Sequence, residues 1–342
     1  MIPAAHPAPK PTDLAPAGPA DWKRLWRDAV RDPRELLALL GLDHLAAGLS
    51  DAAVEQFPLR VPRGFVARMR HGDPADPLLR QVLPVLDEER VVPGFTLDAV
   101  GDGAARAGHG VIRKYQGRAL LVATGSCAVN CRYCFRRHFP YGEETAAAGQ
   151  WAEALAYLAA DTSIAEVLLS GGDPLSLSTG KLTEFTQGLA PLPHVRRLRL
   201  HTRLPVVLPE RVDAALLAWL SGLPQQVVVV IHANHPAEID ATVVDAVAAL
   251  RGTGATLLNQ AVLLRGVNDD AGVLRDLSER LFAAGVLPYY LHQLDRVAGT
   301  AHFEVPDERA RALHAEVAAS LPGYLVPRLV REVPGDPAKR PL

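Results

Sequence analysis

Three cysteines, Cys127, Cys131 and Cys134, lie close together and are the only cysteines among the 342 residues. Thiolates at this C-x3-C-x2-C spacing can bind three irons of a [4Fe–4S] cluster and leave the fourth iron open to another molecule. Zinc is an alternative metal, but a structural zinc site needs a fourth ligand, which would have to be one of the 12 histidines. Three unrelated buried thiols are a second alternative. The spacing favours an iron–sulfur cluster with one open iron.

The residues after the third cysteine make this interpretation more specific. The chain continues Cys134-Phe135-Arg136-Arg137-His138-Phe139. Together with the cysteine spacing, this segment resembles the radical S-adenosylmethionine (SAM) enzymes. Within them it is similar to the lysine 2,3-aminomutases, and in particular to the branch that supplies β-lysine for elongation factor P. In radical SAM enzymes the amino and carboxylate groups of SAM chelate the open iron, so the resemblance implies SAM as a cofactor.

Further motifs resemble SAM-binding elements of that family. Adjacent glycines let a backbone approach a ligand closely, and Gly171, Gly172 and Asp173 match the glycine-rich element that binds the SAM amino group. His232 and Gln260 match residues that line the SAM pocket. Taken alone, the first motif is also consistent with an ordinary turn, and the other two side chains with bonds to nearby backbone.

Three charged residues match the positions that bind lysine in the aminomutases. Arg136 matches the arginine that holds the α-carboxylate in a bidentate fork. Asp295 matches an aspartate that holds the ε-ammonium, and Glu332 stands where the family has a second aspartate. The carboxylate is retained at Glu332, but its reach is one methylene longer. Surface ion pairing is the alternative explanation for all three residues.

The segment near residue 339 resembles the part of the aminomutases that binds pyridoxal phosphate (PLP). Lys339, followed by Arg340 and Pro341, matches the lysine that binds PLP covalently, although the family's run of glycines is reduced here to Gly335. An ordinary solvated lysine is the alternative. The resemblance also assigns Arg118 to the PLP phosphate, with Lys114 and Tyr115 as weaker candidates. We expect no zinc, because the C-terminal metal-binding extension of the longer aminomutases and its cysteines are not present.

The resemblance implies a radical isomerisation of lysine. SAM is cleaved to methionine and a 5′-deoxyadenosyl radical, which takes hydrogen from C3 of PLP-bound (S)-lysine. Nitrogen then moves from C2 to C3 and the hydrogen returns, giving (R)-β-lysine. The implied partners are L-lysine, a flavodoxin- or ferredoxin-type electron donor, and the ligase that attaches β-lysine to elongation factor P. The sequence leaves the oligomeric state open.

Three other functions remain open at this point. The chain could be a 2,3-aminomutase for arginine or glutamate, although Asp295 and Glu332 disfavour glutamate because it would need a cation there. It could be a radical SAM enzyme without PLP. It could also be a non-catalytic iron–sulfur or zinc module, which metal analysis would distinguish.

The segments around these motifs predict an α/β fold. Short apolar runs alternate with amphipathic helical patterns, and Gly125 and Ser126 interrupt the first run just before the cysteines. The runs are residues 118–124, 165–170, 195–201, 226–232, 255–262 and 286–292. Six strand–helix units predict a parallel sheet, either doubly wound or curved into a barrel. The resemblance favours the partial, TIM-like (β/α)6 barrel of radical SAM enzymes, with its site at the carboxyl ends of the strands.

Composition predicts the remaining organisation. We expect a disordered tail at 1–20, a helical N-terminal region at 21–115, the radical SAM core at 116–304, and a C-terminal helix with the PLP-lysine segment at 305–342. Hydrophobic residues make up 49% of the chain and the net charge is −2, which gives no electrostatic case for nucleic acid. No apolar run reaches membrane-spanning length. Clustered, unpaired cysteines are typical of a reducing compartment, so we expect a cytoplasmic protein.

Overall fold

One sheet of ten strands organises the described chain, and the strands follow one another in space in the order of the sequence. The structure is a computed structural model that describes residues 21–149 and 151–342, so the predicted tail at 1–20 lies outside the described residues. The strands are β1 (Arg106–Gly108), β2 (Val111–Ile112), β3 (Arg118–Thr124), β4 (Glu166–Gly171), β5 (Arg197–Thr202), β6 (Gln226–Ile231), β7 (Thr256–Val262), β8 (Leu287–His292), β9 (Arg328–Arg331) and β10 (Arg340–Pro341).

The sheet topology distinguishes a barrel from a doubly wound sheet. Strands β3 to β9 are all parallel to their neighbours, whereas β1, β2 and β10 pair antiparallel at the two ends. A doubly wound sheet reverses its strand order at a switch point, but here every crossover steps in the same direction. The two ends do not pair with each other, so the barrel is open. The prediction of a partial (β/α)6 barrel is confirmed.

Short helices make up much of the N-terminal region. They are α1 (Trp22–Arg27), α2 (Pro33–Leu39), α3 (Asp51–Gln56), α4 (Arg63–Val66) and α5 (Pro77–Arg80). Side chains cap the first two helices, because the carboxylate of Asp21 accepts a bond from the Lys23 amide and that of Asp32 accepts one from the Arg34 amide. Trp22 is buried and packs edge-on against Trp26. The same region also contributes β1 and β2, which the sequence pattern did not reveal because both strands are very short.

The remaining helices connect the parallel strands. They are α6 (Ala152–Ala160), α7 (Thr179–Leu189), α8 (Leu204–Val207), α9 (Ala214–Ser221), α10 (Ala241–Gly252), α11 (Ala271–Ala283) and α12 (Asp307–Ser320). A side chain caps the start of most of the longer ones, as Ser178 does for α7 and Asp270 for α11. Leucines on one face of each helix pack into the main core. Within the described residues, no helix is long and apolar enough to cross a membrane.

The chain after α12 returns to the sheet. Strand β9 adds a seventh parallel strand beside β8, and β10 folds back on it with Arg340 opposite Arg331 and Pro341 opposite Val330. Gly335 turns the chain between them with a φ of 82°, a conformation that glycine adopts without strain. The predicted lysine segment is therefore held against the edge of the barrel.

Candidate active site

A cavity of about 420 Å³ lies inside the open barrel, and every residue predicted for the site lines it. These residues are Cys127, Cys131, Cys134, Gly171, Gly172, Asp173, His232, Gln260, Arg136, Asp295, Glu332, Lys339, Arg118, Lys114 and Tyr115. Most follow the carboxyl ends of strands, where parallel sheets place their ligands. Lys114, Tyr115 and Arg118 instead lie at the amino end of β3, so the cavity runs through the interior of the barrel.

The cysteine loop, residues 125–134, is fixed by buried ion pairs to the N-terminal region. Arg132 is fully buried, and its guanidinium donates to both carboxylate oxygens of Glu88, at 2.8 and 2.6 Å. Arg137 donates to the same carboxylate at 2.7 Å. Removing one partner of such a buried pair leaves an uncompensated charge, which is strongly destabilising. The loop that carries the cysteines is therefore anchored on both sides of Cys134.

The three cysteines suit a cluster better than a single ion. Among the described residues, no group of three His, Cys, Asp or Glu side chains is close enough to hold one metal ion. A [4Fe–4S] cluster does not require that closeness, because each thiolate binds a different iron. Burial raises the pKa of Cys134 to about 11, so cluster binding must displace protons. The guanidinium of Arg203 donates to Sγ of Cys131 and places a positive charge beside this sulfur.

Two glycines at the carboxyl end of β4, the last strand residue and the one after it, let the chain pack closely against the start of the cysteine loop. A Cβ on Gly172 would lie 2.5 Å from the carbonyl oxygen of Ser126, and one on Gly171 would lie 2.8 Å from that of Thr124. Asp173 lines the cavity, but its carboxylate accepts bonds from the Thr202 hydroxyl and the Arg203 amide, both at 2.7 Å. Its carboxylate thus ties the loop after β5 to this turn.

His232 and Gln260 meet in the middle of the cavity, where Nε2 of one lies 2.9 Å from Nε2 of the other. Burial lowers the pKa of His232 to about 3, so its ring is neutral. His201 and His292 also line the cavity, and their buried Nε2 atoms have no partner in the described part of the chain. Such orphaned groups are costly unless a bound molecule satisfies them, so the cavity fits a polar cofactor.

Glu332 binds the ammonium of Lys339 rather than facing an open space. Its Oε2 lies 2.5 Å from Nζ of Lys339, and its Oε1 accepts a bond of 2.7 Å from the Tyr115 hydroxyl. Burial opposes the charged form, but these contacts outweigh it and hold the pKa of Glu332 below its ordinary value. The Glu332 carboxylate, which was predicted to bind the substrate ammonium, therefore already binds the ammonium of Lys339, the predicted PLP lysine.

Asp295 is the carboxylate in this region that has no such partner. No described side chain donates to its oxygens, although it lines the cavity. Burial raises its pKa to about 7, against the opposing charge of Lys339, with Glu332 adding to the rise. A second cation entering the cavity would favour the ionised form and relieve this cost.

Arg136 lies in a pair that the sequence did not reveal. Its Nε donates to Asp102 at 2.6 Å and its Nη1 donates to the Ser170 hydroxyl at 3.1 Å. The other oxygen of Asp102 binds Nζ of Lys114 at 2.7 Å. Asp102 is itself buried. One carboxylate thus fixes both cations, and Nη2 of Arg136 has no acceptor among the described residues.

The three phosphate candidates differ in what already holds them. Lys114 is bonded to Asp102 and to the carbonyl of Val100, and the Tyr115 hydroxyl is bonded to Glu332. Arg118 stacks over the Tyr115 ring and has no carboxylate partner among the described residues. Arg118 is therefore the candidate that remains available to an anion.

The cavity residues that sequence reasoning missed share a signal. Arg199 and His201 on β5, and Tyr290 and His292 on β8, are polar or aromatic residues at alternate positions of their strands. Alternate strand residues face the same side of a sheet. The alternation could therefore have placed these four side chains in the barrel interior.

The fold and the three-cysteine loop at its carboxyl edge define a radical SAM enzyme. No protein-family model matches the chain. It is 49% identical over 325 residues to the L-lysine 2,3-aminomutase of Escherichia coli (strain K12), covering 94% of each protein. It is 44% identical to the L-lysine 2,3-aminomutase of Haemophilus influenzae, over 93% of this chain and 94% of the relative. It is 30% identical to that of Clostridium subterminale, over 96% of this chain and 79% of the relative. The chain belongs to the lysine 2,3-aminomutase family.

Membership has direct consequences for chemistry. The family consists of isomerases of the radical SAM class, and it implies a [4Fe–4S] cluster, SAM and PLP as cofactors.

Two solved structures are also similar at low identity. A radical SAM methyltransferase from Sphaerobacter thermophilus matches with a TM-score of 0.45 and 18% identity, over 65% of this chain and 68% of that one. Streptococcus suis SuiB bound to S-adenosylmethionine matches with a TM-score of 0.46 and 11% identity, over 66% of this chain and 52% of that one.

Proposed function

We propose that this chain is a PLP- and SAM-dependent L-lysine 2,3-aminomutase that converts (S)-α-lysine to (R)-β-lysine in the cytoplasm. The supporting observation is that one cavity of about 420 Å³ is lined by the three cysteines at one end and by Asp295, Glu332 and Lys339 at the other. A radical formed at the cluster and an amino acid held near Lys339 would then share one enclosed space, which favours reaction between them.

At the cluster end, Cys127, Cys131 and Cys134 would bind three irons. When bound, the cluster and SAM supply the radical that removes a hydrogen atom. His232 and Gln260 line the same cavity and are held to each other, so they can position a polar ligand. The protein contributes binding, orientation and exclusion of water, while the cofactors carry the difficult chemistry.

At the other end, Lys339 would bind PLP through its primary amine and Arg118 would bind the phosphate. Lys339 is ion-paired with Glu332 in this arrangement, so this contact must be given up before the amine can act as a nucleophile. That step would free Glu332, which could then hold the ε-ammonium of the substrate.

For the substrate, Asp295 supplies the unpartnered carboxylate and Arg136 supplies an unpartnered Nη2 on a guanidinium fixed by Asp102. A diamino acid such as lysine carries the two charges that complement this pair. Glutamate would place a second carboxylate near Asp295 and Glu332, which like-charge repulsion disfavours.

The decisive experiment is an anaerobic assay of reconstituted enzyme with L-lysine, SAM, PLP and dithionite, followed by chiral analysis of the products. We expect (R)-β-lysine in excess over methionine and 5′-deoxyadenosine, because the hydrogen that returns to the product regenerates the radical, and we expect no β-lysine without PLP. Arginine serves as the matched control substrate, since it retains the α-amino acid and the distal positive charge. SAM cleavage without β-lysine, or β-arginine as the preferred product, would overturn the proposal.

We further propose that the product is attached to elongation factor P by a separate ligase. The support is the resemblance of the Cys134–Phe139 motif to the branch with that role. Mass spectrometry of elongation factor P from cells with and without this gene tests the link. We expect the modified form to disappear with the gene and to return when β-lysine is supplied. Unchanged modification in the deletion strain would contradict it.

A further inference from the structure

We propose that an outer groove beside the cysteine loop is the docking surface for an acidic one-electron carrier protein that reduces the cluster. This inference rests on the proposed function, because a cluster that cleaves SAM must receive an electron from outside. The carrier would lose one electron from a reduced flavin or iron–sulfur centre, and the cluster would gain it.

The groove is a second cavity, of about 310 Å³, lined by residues of the cysteine loop and of the N-terminal region. Cys127 lines both cavities, so this residue forms part of the wall between them. Gly125 and Ser126, just before it, line the groove and are exposed. A protein seated here would approach the cluster directly without entering the site where the substrate binds.

The floor of the groove is fixed to the cluster loop. The amide of Asn130 donates to the carbonyl of Arg60 at 3.1 Å, and its side chain donates to that of Pro58 at 2.8 Å. Arg60 in turn donates to the carbonyl of Cys127 at 3.3 Å and stacks over Trp26. The surface is therefore preorganised relative to the cysteines, which lowers the cost of docking.

The charge of the groove indicates the chemistry of its partner. Arg31 and Arg60 line it, no carboxylate does, and neither arginine has an ion-pair partner within the described ranges. The nearby Arg34 and Arg63, by contrast, are paired with Asp51 and Glu35. In a chain of net charge −2, this is a local excess of positive charge. Such a patch steers an acidic partner and accelerates association at low salt.

The test measures how fast a reduced acidic flavodoxin reduces the reconstituted cluster, by anaerobic stopped-flow absorbance at low and high salt. We expect the second-order rate constant of the wild type to fall as salt rises. Arg31→Glu should lower it about fivefold or more at low salt and remove most of the salt dependence. Binding of oxidised flavodoxin, followed by its flavin fluorescence, should weaken in parallel.

Arg196→Glu is the matched control. Arg196 is also exposed and without an ion-pair partner in the described part, but it precedes β5 at the amino ends of the strands, away from the cluster loop. We expect flavodoxin to reduce the cluster of this variant at the wild-type rate, within about twofold. Equal rates for Arg31→Glu and Arg196→Glu, or a wild-type rate independent of salt, would overturn the docking site. Dithionite-driven SAM cleavage should be unchanged in both variants, and its absence in the wild type would instead refute the proposed function.

Discussion

The two ends of the cavity are held in different ways. The cysteine end rests on Glu88, which is buried and binds both Arg132 and Arg137. The lysine end rests on an exposed turn and a two-residue strand, and its main polar contact is the pair between Lys339 and Glu332. The cysteines are thus fixed by ion pairs that can stay intact when a cofactor binds. The lysine, by contrast, is held by the carboxylate that a substrate ammonium would also bind.

This difference indicates which contacts are permanent and which are exchanged. A buried pair such as Arg132 with Glu88 contributes to the folded framework and has no better partner available. The pair of Lys339 with Glu332 must separate when the amine becomes a nucleophile. The comparison predicts that changes at the cysteine end remove all activity. Changes at the lysine end should instead remove PLP attachment or lysine binding while the cluster and SAM cleavage are kept.

The largest effect is expected at the cluster. Changing any one of Cys127, Cys131 or Cys134 to Ala should abolish iron retention and SAM cleavage, because no other cysteine is available to replace the lost ligand. Iron analysis and the yield of 5′-deoxyadenosine measure this. Ser126→Ala in the same loop is the control and should retain its iron. A single cysteine variant with full iron content would refute the assignment.

Lys339→Ala should affect the lysine end of the cavity and leave the cysteine end intact. It should keep the cluster and its SAM cleavage but lose the covalent link to PLP, since that link requires a primary amine while iron binding does not. Borohydride reduction followed by peptide mass spectrometry detects the link in the wild type. Lys181→Ala, which removes a lysine paired with Glu184 at the surface, is the control. If PLP remains attached in Lys339→Ala, the PLP lysine lies elsewhere.

Asp295→Asn should reduce lysine turnover efficiency about 30- to 1000-fold, because losing one charged contact in a desolvated site costs about 2–4 kcal/mol. The cluster and PLP spectra should not change. Asp276→Asn on the surface should have no effect. Lysine kinetics within about twofold of the wild type, under about 0.5 kcal/mol, would mean that another group holds the ammonium.

The same residue predicts a pH dependence. The pKa of Asp295 is about 7, so its carboxylate is largely protonated below that pH and ionised above it. An ammonium binds the ionised form, so the KM for lysine should fall as pH rises from about 6 to about 8. Asp295→Asn should lose this dependence. A wild-type KM that rises over the same range would contradict the assignment.

The smallest effects are expected at Arg136, the arginine proposed to bind the substrate carboxylate. Arg136→Lys keeps the charge but loses the fork, and should lower turnover about 10- to 100-fold. Asp102→Asn should lower it less, about tenfold, because it loosens the guanidinium without removing it. Lysine KM should rise in both variants. Unchanged KM in Asp102→Asn would show that Arg136 is positioned without it.

The sequence predicted six of the seven parallel strands, because most of them are short, largely apolar runs bounded by turns, but it did not predict β9. All six predicted runs became strands, with starts shifted by up to two residues, as at β5, where the buried Val195 packs into the core before the ladder begins. The local cysteine motif was equally readable. Asp102 was not, because it stands 34 residues before Arg136 in a segment without periodicity, and only the folded chain brings them together.

The exchange of partners at Glu332 was also beyond sequence reasoning. Glu332 and Lys339 are seven residues apart. In a helix this spacing would put them on one face but about 10.5 Å apart, and in a strand it would put them on opposite faces, so neither element predicts their contact. Their contact depends on the turn at Gly335 and on β10 folding back along β9. A resemblance could assign a role to each residue but could not show that the two roles compete.

The agreement between strand order and chain order has a consequence for biosynthesis. Because each strand pairs with the one made just before it, a growing chain can add strands to the sheet one at a time as it leaves the ribosome, from the N-terminal side onward. The cysteine loop follows the third strand and is complete about 200 residues before Lys339 is translated. With Lys339 as the proposed PLP lysine, a nascent chain can acquire iron before it can acquire PLP, and cells starved of iron or of vitamin B6 should accumulate different incomplete forms of this enzyme.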